Sequence, residues 1–207
     1  MITVVNFSGG KDSTAMLHLM KEKHETIDRV VYFETDWEFP VIEKHIKQVE
    51  EYTGLHIEQI RNYRPFDELI RIYGWPHGSG GWCAACKRDS LDKYKRAVKA
   101  DVCCIGFAAD EVKRSKGKKL NETKKWQYRF PLIEAGFTQE DSLKYCYELG
   151  YTWDGLYNYF SRVSCFCCPK AGKLHRPIIR EYFPGLEVKW KYLDSIAKEK
   201  PTKGMIK

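Results

Sequence analysis

Short apolar runs rich in β-branched residues alternate along the first half of the chain with segments whose apolar positions recur every three or four residues. Residues 2–7 (ITVVNF) predict a strand, SGGKDST a turn, and the following AMLHLMKEK a helix. RVVYFET (29–35) predicts a second strand. VIEKHIKQVEEYTG then predicts a helix whose shared face is Val41, Ile42, His45, Ile46 and Val49, with Gly54 as its C-cap. LHIEQI (55–60) reads as a third strand, FDELIRIYG as a short helix, and SLDKYKRAVKA as a helix leading into the buried strand DVCCIGF (101–107). Strands alternating with helices predict an α/β, Rossmann-like domain with a mostly parallel sheet covered on both faces.

The texture changes after about residue 126. FPLIEAGF precedes a helix, TQEDSLKYCYELG, with Thr138 as N-cap and Asp141 three residues on. An aromatic, cysteine-rich stretch follows, and the amphipathic LEVKWKYLDSIAKEK closes the helical part. The expected organisation is an α/β domain over 1–130 and a small helical, Cys-rich C-terminal lobe over 131–207 packed on it. No internal repeat or flexible linker interrupts them.

At 207 residues, 43% hydrophobic and 30% charged, the chain is long enough for a sizeable core and too balanced for a disordered or fibrous protein. No stretch approaches the roughly 18 apolar residues of a membrane span, so the expected address is cytoplasmic, with no membrane partner. Eight cysteines in a reducing compartment point to metal ligands, reactive thiols or core residues rather than disulfides. The net charge of +7 is concentrated: residues 112–125 hold seven Lys or Arg against Glu122 alone. Such a stretch is a solvated loop, a phosphate-seeking lid or a nucleic-acid contact, and in each case its partner is anionic.

The strongest chemical signal is the turn Ser8, Gly9, Gly10, Lys11, Asp12, Ser13, Thr14 between the first strand and the first helix. Its glycines let the backbone approach an anion, and the amides of the helix start point at it. Ser8, Ser13 and Thr14 add hydroxyl donors, and Lys11 adds a fixed positive charge. The spacing is not that of the GxxxxGK[ST] loop.

SGGKDST in this position resembles the pyrophosphate loop of the PP-loop ATP pyrophosphatases. Further segments resemble their phosphoadenosine phosphosulfate reductase-like branch, within the adenine nucleotide alpha hydrolase-like fold. Glu34-Thr35-Asp36-Trp37-Glu38-Phe39-Pro40 is similar to that branch's turn after the second strand, without its glycine. Cys83-Ala84-Ala85-Cys86-Lys87 is similar to its Cys segment ending in Lys, and Gly106-Phe107-Ala108-Ala109-Asp110-Glu111 to its Gly-x-Arg-x-x-Glu segment, with Ala108 in place of the arginine. The resemblance implies that ATP is cleaved between its α and β phosphates, leaving an adenylated substrate and pyrophosphate. The loop would hold the β and γ phosphates, Lys11 would neutralise the leaving pyrophosphate, and Mg²⁺ would bridge the oxygens, with Asp12 holding the metal or only capping the helix. Lys11, Asp12 and Ser13 are thus the candidate catalytic residues. Ser8, Gly9, Gly10, Thr14, Thr35, Asp36, Gly106, Asp110 and Glu111 are candidates for holding the nucleotide. No cysteine follows Cys168, so a reductase mechanism that uses a C-terminal Glu-Cys-Gly is not expected.

Cys83 and Cys86 form one CxxC, and Cys165 and Cys168, followed by Pro169, form another. Two such knuckles offer four thiolates, a donor set for Zn²⁺ or an iron-sulfur cluster, provided the fold brings them together. Cys167 is a substitute ligand or a spare thiol able to carry sulfur. Cys103, Cys104 and Cys146 read as core. Trp153, Tyr157, Tyr159 and Phe160 read mainly as cement for the C-terminal lobe.

These features favour an ATP-dependent adenylating enzyme that passes sulfur to a nucleotide or nucleic acid, with a sulfur-donor protein as a further partner. The alternatives are a divergent sulfonucleotide reductase and a nucleotide-sensing, DNA-associated regulator.

Overall fold

Adjacent residues of the first strand bury on opposite faces of one sheet. Val5 joins the larger core with Phe7, Met16 and Met20, and Val4 joins a smaller one with Val31, Cys103 and Trp126. A strand buried on both faces belongs in the middle of a covered parallel sheet. In the computed structural model, which describes residues 1–77, 81–117 and 125–198, it does. Five strands, β1 (Thr3–Phe7), β2 (Arg29–Glu34), β3 (Ile57–Arg61), β4 (Val102–Ile105) and β5 (Gln127–Arg129), lie in the order β3-β2-β1-β4-β5. All four pairings are parallel, and the register sets Val5 between Val30 and Cys104.

The helices between them are α1 (Lys11–Glu22), α2 (Val41–Thr53), α3 (Phe66–Tyr73) and α4 (Trp82–Ala97). On α2 the expected face is buried at Ile42, His45, Ile46 and Val49, with Val41 half-buried, and Gly54 ends the helix in the left-handed region at φ 69°. The short α5 (Val112–Ser115) and α6 (Pro131–Glu134) flank β5 in sequence, and α7 (Gln139–Glu148), α8 (His175–Tyr182) and α9 (Pro184–Ile196) complete the set described. Thr138 caps α7 reciprocally: its Oγ1 accepts from the Asp141 amide at 3.1 Å, and Asp141 accepts from the Thr138 amide at 2.9 Å. The C-terminal segment shares the larger core, through Cys146, Trp153, Phe166 and Trp190, with β1 and α1.

Several elements depart from the sequence reading: α1 starts at Lys11, within the expected turn, α8 lies in a stretch where no helix is expected, and β5 and α4 differ more. β5 is a polar tripeptide with no apolar run to announce it. It forms because Gln127 pairs with Val102 and because Arg129 is held between Glu25 and Glu134. α4 starts eight residues before the expected Ser90, at Trp82, whose indole donates to Gly74 O at 2.9 Å and is buried. The first CxxC therefore sits on the opening turn of a helix. Residues 78–80 of the glycine loop, 118–124 of the basic stretch and 199–207 of the chain's end lie outside the described residues. No described helix is long and apolar enough to cross a membrane.

Candidate nucleotide site

The chain winds to one side of β1 through β2 and β3 and to the other through β4 and β5, so the loops leaving β1 and β4 diverge. Such a switch point, at the carboxyl ends of parallel strands, is where open α/β sheets bind ligands. Here the loop after β1 is Ser8-Gly9-Gly10. Gly9 takes φ 75°, and a Cβ there would stand 2.8 Å from Ile42 Cγ2, so glycine is required on both counts. Gly106, just past β4, allows an equally close approach: a Cβ would meet Asp12 O at 3.0 Å.

The hydroxyls brace the loop. Ser13 Oγ donates to Gly10 O (3.0 Å), accepts from the Ser8 amide (3.0 Å) and lies 2.9 Å from Ser8 Oγ. Thr14 Oγ1 donates to Gly10 O at 3.1 Å and turns inward to His45 Nε2 at 2.8 Å, so it supports the loop from beneath. From the other side Trp153 Nε1 donates to Gly9 O at 2.8 Å, and the Lys11 amide donates to Tyr157 Oη at 2.7 Å.

Above the loop lies a cavity of about 390 Å³. Ser8, Gly10, Lys11, Asp12, Ser13 and Gly106 line it. Lys87, Arg114 and Arg162 bring three more cations to its wall, and Asn6 contributes a buried Oδ1 that has no hydrogen-bond partner. Lys11 Nζ is paired with Asp12 at 2.6 Å. Burial raises the Asp12 carboxyl above its usual range, and the neighbouring Lys11 only partly offsets this. Glu111, buried, binds both Arg114 (2.7 Å) and Arg162, fastening the segment after β4 to the C-terminal segment.

The other sequence candidates are placed differently. Thr35 is buried beside the loop after β2, where its hydroxyl donates to Glu38 at 2.5 Å. Asp36, at φ 66°, lines a neighbouring cavity of about 380 Å³ and pairs with Arg61 at 3.3 Å. Asp110 accepts from the backbone and side chain of Gln139 at the start of α7. Tyr157 and Arg162 were not legible as site residues, because their contacts to the loop and to Glu111 are made across long stretches of sequence. Trp153 and Tyr157, expected as cement for the lobe, also clasp the loop after β1.

The thiols gather only in part. Cys165 lies in a bridge with Glu38, its Sγ 3.4 Å from Thr35 Oγ1, and burial chiefly, then Glu38, pushes the thiol up to about 12. Cys168 adds to the upward shift of Cys165, behind burial and Glu38, and to that of Cys83, behind burial and against the pull of Lys170. Burial chiefly, then Cys83, raises Cys86 to about 11. Cys103, Cys104 and Cys146 are fully buried. Among the described residues, no three Cys, His, Asp or Glu side chains stand as a ready metal cage.

An all-parallel α/β fold with a glycine-serine loop at its switch point is a nucleotide-binding fold. The chain belongs to the phosphoadenosine phosphosulfate reductase family, whose domain it matches over residues 2–171. It is 30% identical to an uncharacterised protein of Methanocaldococcus jannaschii over 90% of this chain and 40% of the relative. It is 27% identical to an uncharacterised nin-region protein of Escherichia phage lambda over 57% of this chain and 52% of the relative. The chain thus spans about half or less of the length of these curated relatives. In fold it is similar to the U34-tRNA thiolase NcsA from Methanococcus maripaludis with its [4Fe-4S] cluster: TM-score 0.56, 18% identity, covering 95% of this chain and 70% of that one. It is also similar to the phosphoadenylyl-sulfate reductase from Candida auris: TM-score 0.55, 10% identity, covering 76% and 77%.

Proposed function

We propose that the chain binds ATP with its β and γ phosphates on the loop Ser8–Thr14 and cleaves it between the α and β phosphates, adenylating a nucleotide or nucleic acid to prepare it for sulfur transfer. The observation that carries this reading is the cavity at the switch point, where backbone, hydroxyls and Lys11 converge with Lys87, Arg114 and Arg162. Preorganised donors and cations of this kind stabilise charge that builds on a leaving pyrophosphate. Lys11 does so directly, Ser8 orients the phosphates while Ser13 braces the loop beneath them, and the additional cations suit an anionic acceptor. Thr35 and Asp36 would hold the nucleoside side of the ligand, and Gly106 lets the strand end approach it.

The residues present fit Mg²⁺, which takes one or two carboxylates together with phosphate oxygens; Asp12 is the carboxylate at the loop. The thiols of Cys83, Cys86, Cys165 and Cys168 are a soft donor set for an iron-sulfur cluster or Zn²⁺. A cluster would supply the sulfur-handling chemistry, Cys167 is available as a spare thiol, and a sulfur-donor protein in the cytoplasm would complete the cycle. The NcsA likeness, a thiolase with a cluster, supports this sulfur reading.

The test is pyrophosphate release from ATP and Mg²⁺ with mixed tRNA as acceptor. Lys11→Ala is expected to lower the rate by about a hundredfold or more, the scale of losing one preorganised charge-stabilising group. Wild-type release from the variant contradicts the reading.

A further inference from the structure

Tyr157 stands where a main-chain donor of the anion loop ought to be free. The first amides of a helix have no intrahelical acceptor, and in an anion site they serve the ligand. At the start of α1, however, the Lys11 amide is already spent on the Tyr157 phenol at 2.7 Å. The phenol comes from the 3₁₀ turn Trp153–Asn158, which is fixed against the same loop by the Trp153 bond to Gly9 O. That turn carries Trp153 and Asp154 at positive φ (47° and 48°), a local strain that the contacts with the loop hold in place.

A phenol that accepts one hydrogen bond still has its own proton to give. Among the described residues no acceptor takes that proton. The Tyr157 side chain lines the cavity with Ser8, Gly10 and Lys11, and burial, with the Asp12 charge behind it, pushes its ionisation upward, which keeps it a neutral donor. A Cβ on Gly10 would lie 3.4 Å from the phenol oxygen, so the hydroxyl sits over the loop itself.

We propose that Tyr157 is a phosphate-binding residue: its phenol takes the Lys11 amide on one side and donates its proton to an oxygen of the pyrophosphate moiety on the other. The C-terminal segment thereby supplies a donor to the anion nest in place of the backbone amide it occupies. This rests on the reading of Ser8–Thr14 as a phosphate loop and extends it by one named ligand.

The experiment is a calorimetric titration of the full chain with Mg²⁺-pyrophosphate and with Mg²⁺-ATP. Tyr157→Phe keeps the ring and removes only the hydroxyl, and both ligands are expected to bind about tenfold more weakly, the usual scale for one hydrogen bond to a charged group. Unchanged or tighter binding by the variant overturns the proposal while leaving the phosphate loop intact. Failure of the wild type to bind either ligand overturns both. Should Tyr157→Phe fail to fold, a ring-fluorinated tyrosine at 157, isosteric and a stronger donor, is expected to tighten pyrophosphate binding several-fold. Affinity indifferent to that change overturns the proposal.

Discussion

Trp153 donates its indole N–H to the carbonyl oxygen of Gly9 at 2.8 Å, joining residues 144 positions apart and tying the C-terminal segment to the loop after β1. The indole is buried, so the bond is shielded from water and the carbonyl has no ready substitute partner. Trp153→Phe is expected to cost about 1–3 kcal/mol in urea unfolding and to weaken ATP binding, because Gly9 loses its anchor. Unchanged stability together with unchanged ATP affinity would contradict the clasp.

Two buried histidines set a pH dependence. His45, bonded to Thr14, and His18, bonded to Tyr151 at 2.9 Å, are both buried, and burial is the main cause that lowers their pKa to about 3 and about 4. The unfolded chain binds protons on them near pH 6.5, and the folded chain does so only far below. Each histidine's contribution is therefore fully present above pH 6.5 and is lost as pH falls toward 4, at a slope of up to about 1.4 kcal/mol per pH unit. Denaturation between pH 7.5 and 5 is expected to show that loss, with a shallower slope in His45→Gln. A flat profile in the wild type would refute it.

The reciprocal cap of α7 is worth about 1 kcal/mol. Thr138→Ala is expected to lower the unfolding free energy by that amount, with a lower midpoint, and Thr138→Ser to retain most of it. Equal midpoints for all three proteins would mean that the cap contributes nothing.

Protein purified without oxygen is expected to carry iron with acid-labile sulfide, or zinc, bound through the cysteine knuckles. Cys83→Ser, Cys165→Ser and Cys168→Ser should each strip most of it. Cys86→Ser should do the same, as the fourth thiol of the two knuckles. Cys104→Ser, altering a thiol buried in β4, should leave the metal content unchanged. Metal-free wild type would refute the assignment.

What the sequence made legible was local. The order of strand, turn and helix around SGGKDST, the face and C-cap of α2, and the Thr138-Asp141 cap all depend on residues within a turn or two of one another, and the structure places them as expected except that α1 already starts at Lys11, inside the expected turn. What escaped depended on distance. β5 is polar and exists because β4 offers it an edge, and α4 reaches back to Trp82 because that indole finds a buried acceptor at Gly74. Arg162 and Tyr157 have no periodicity to mark them, since their roles come from Glu111 and Lys11 across the fold. Asp110, a candidate for holding the nucleotide, accepts from the backbone and side chain of Gln139 at the start of α7, a contact its sequence neighbourhood does not announce.

The central claim concerns which bond of ATP breaks. The most direct measurement follows ATP labelled at the α and γ phosphates, incubated with the protein, Mg²⁺ and mixed tRNA. The account predicts α label in AMP or in adenylated acceptor and γ label in pyrophosphate. Label recovered as ADP and orthophosphate would contradict it.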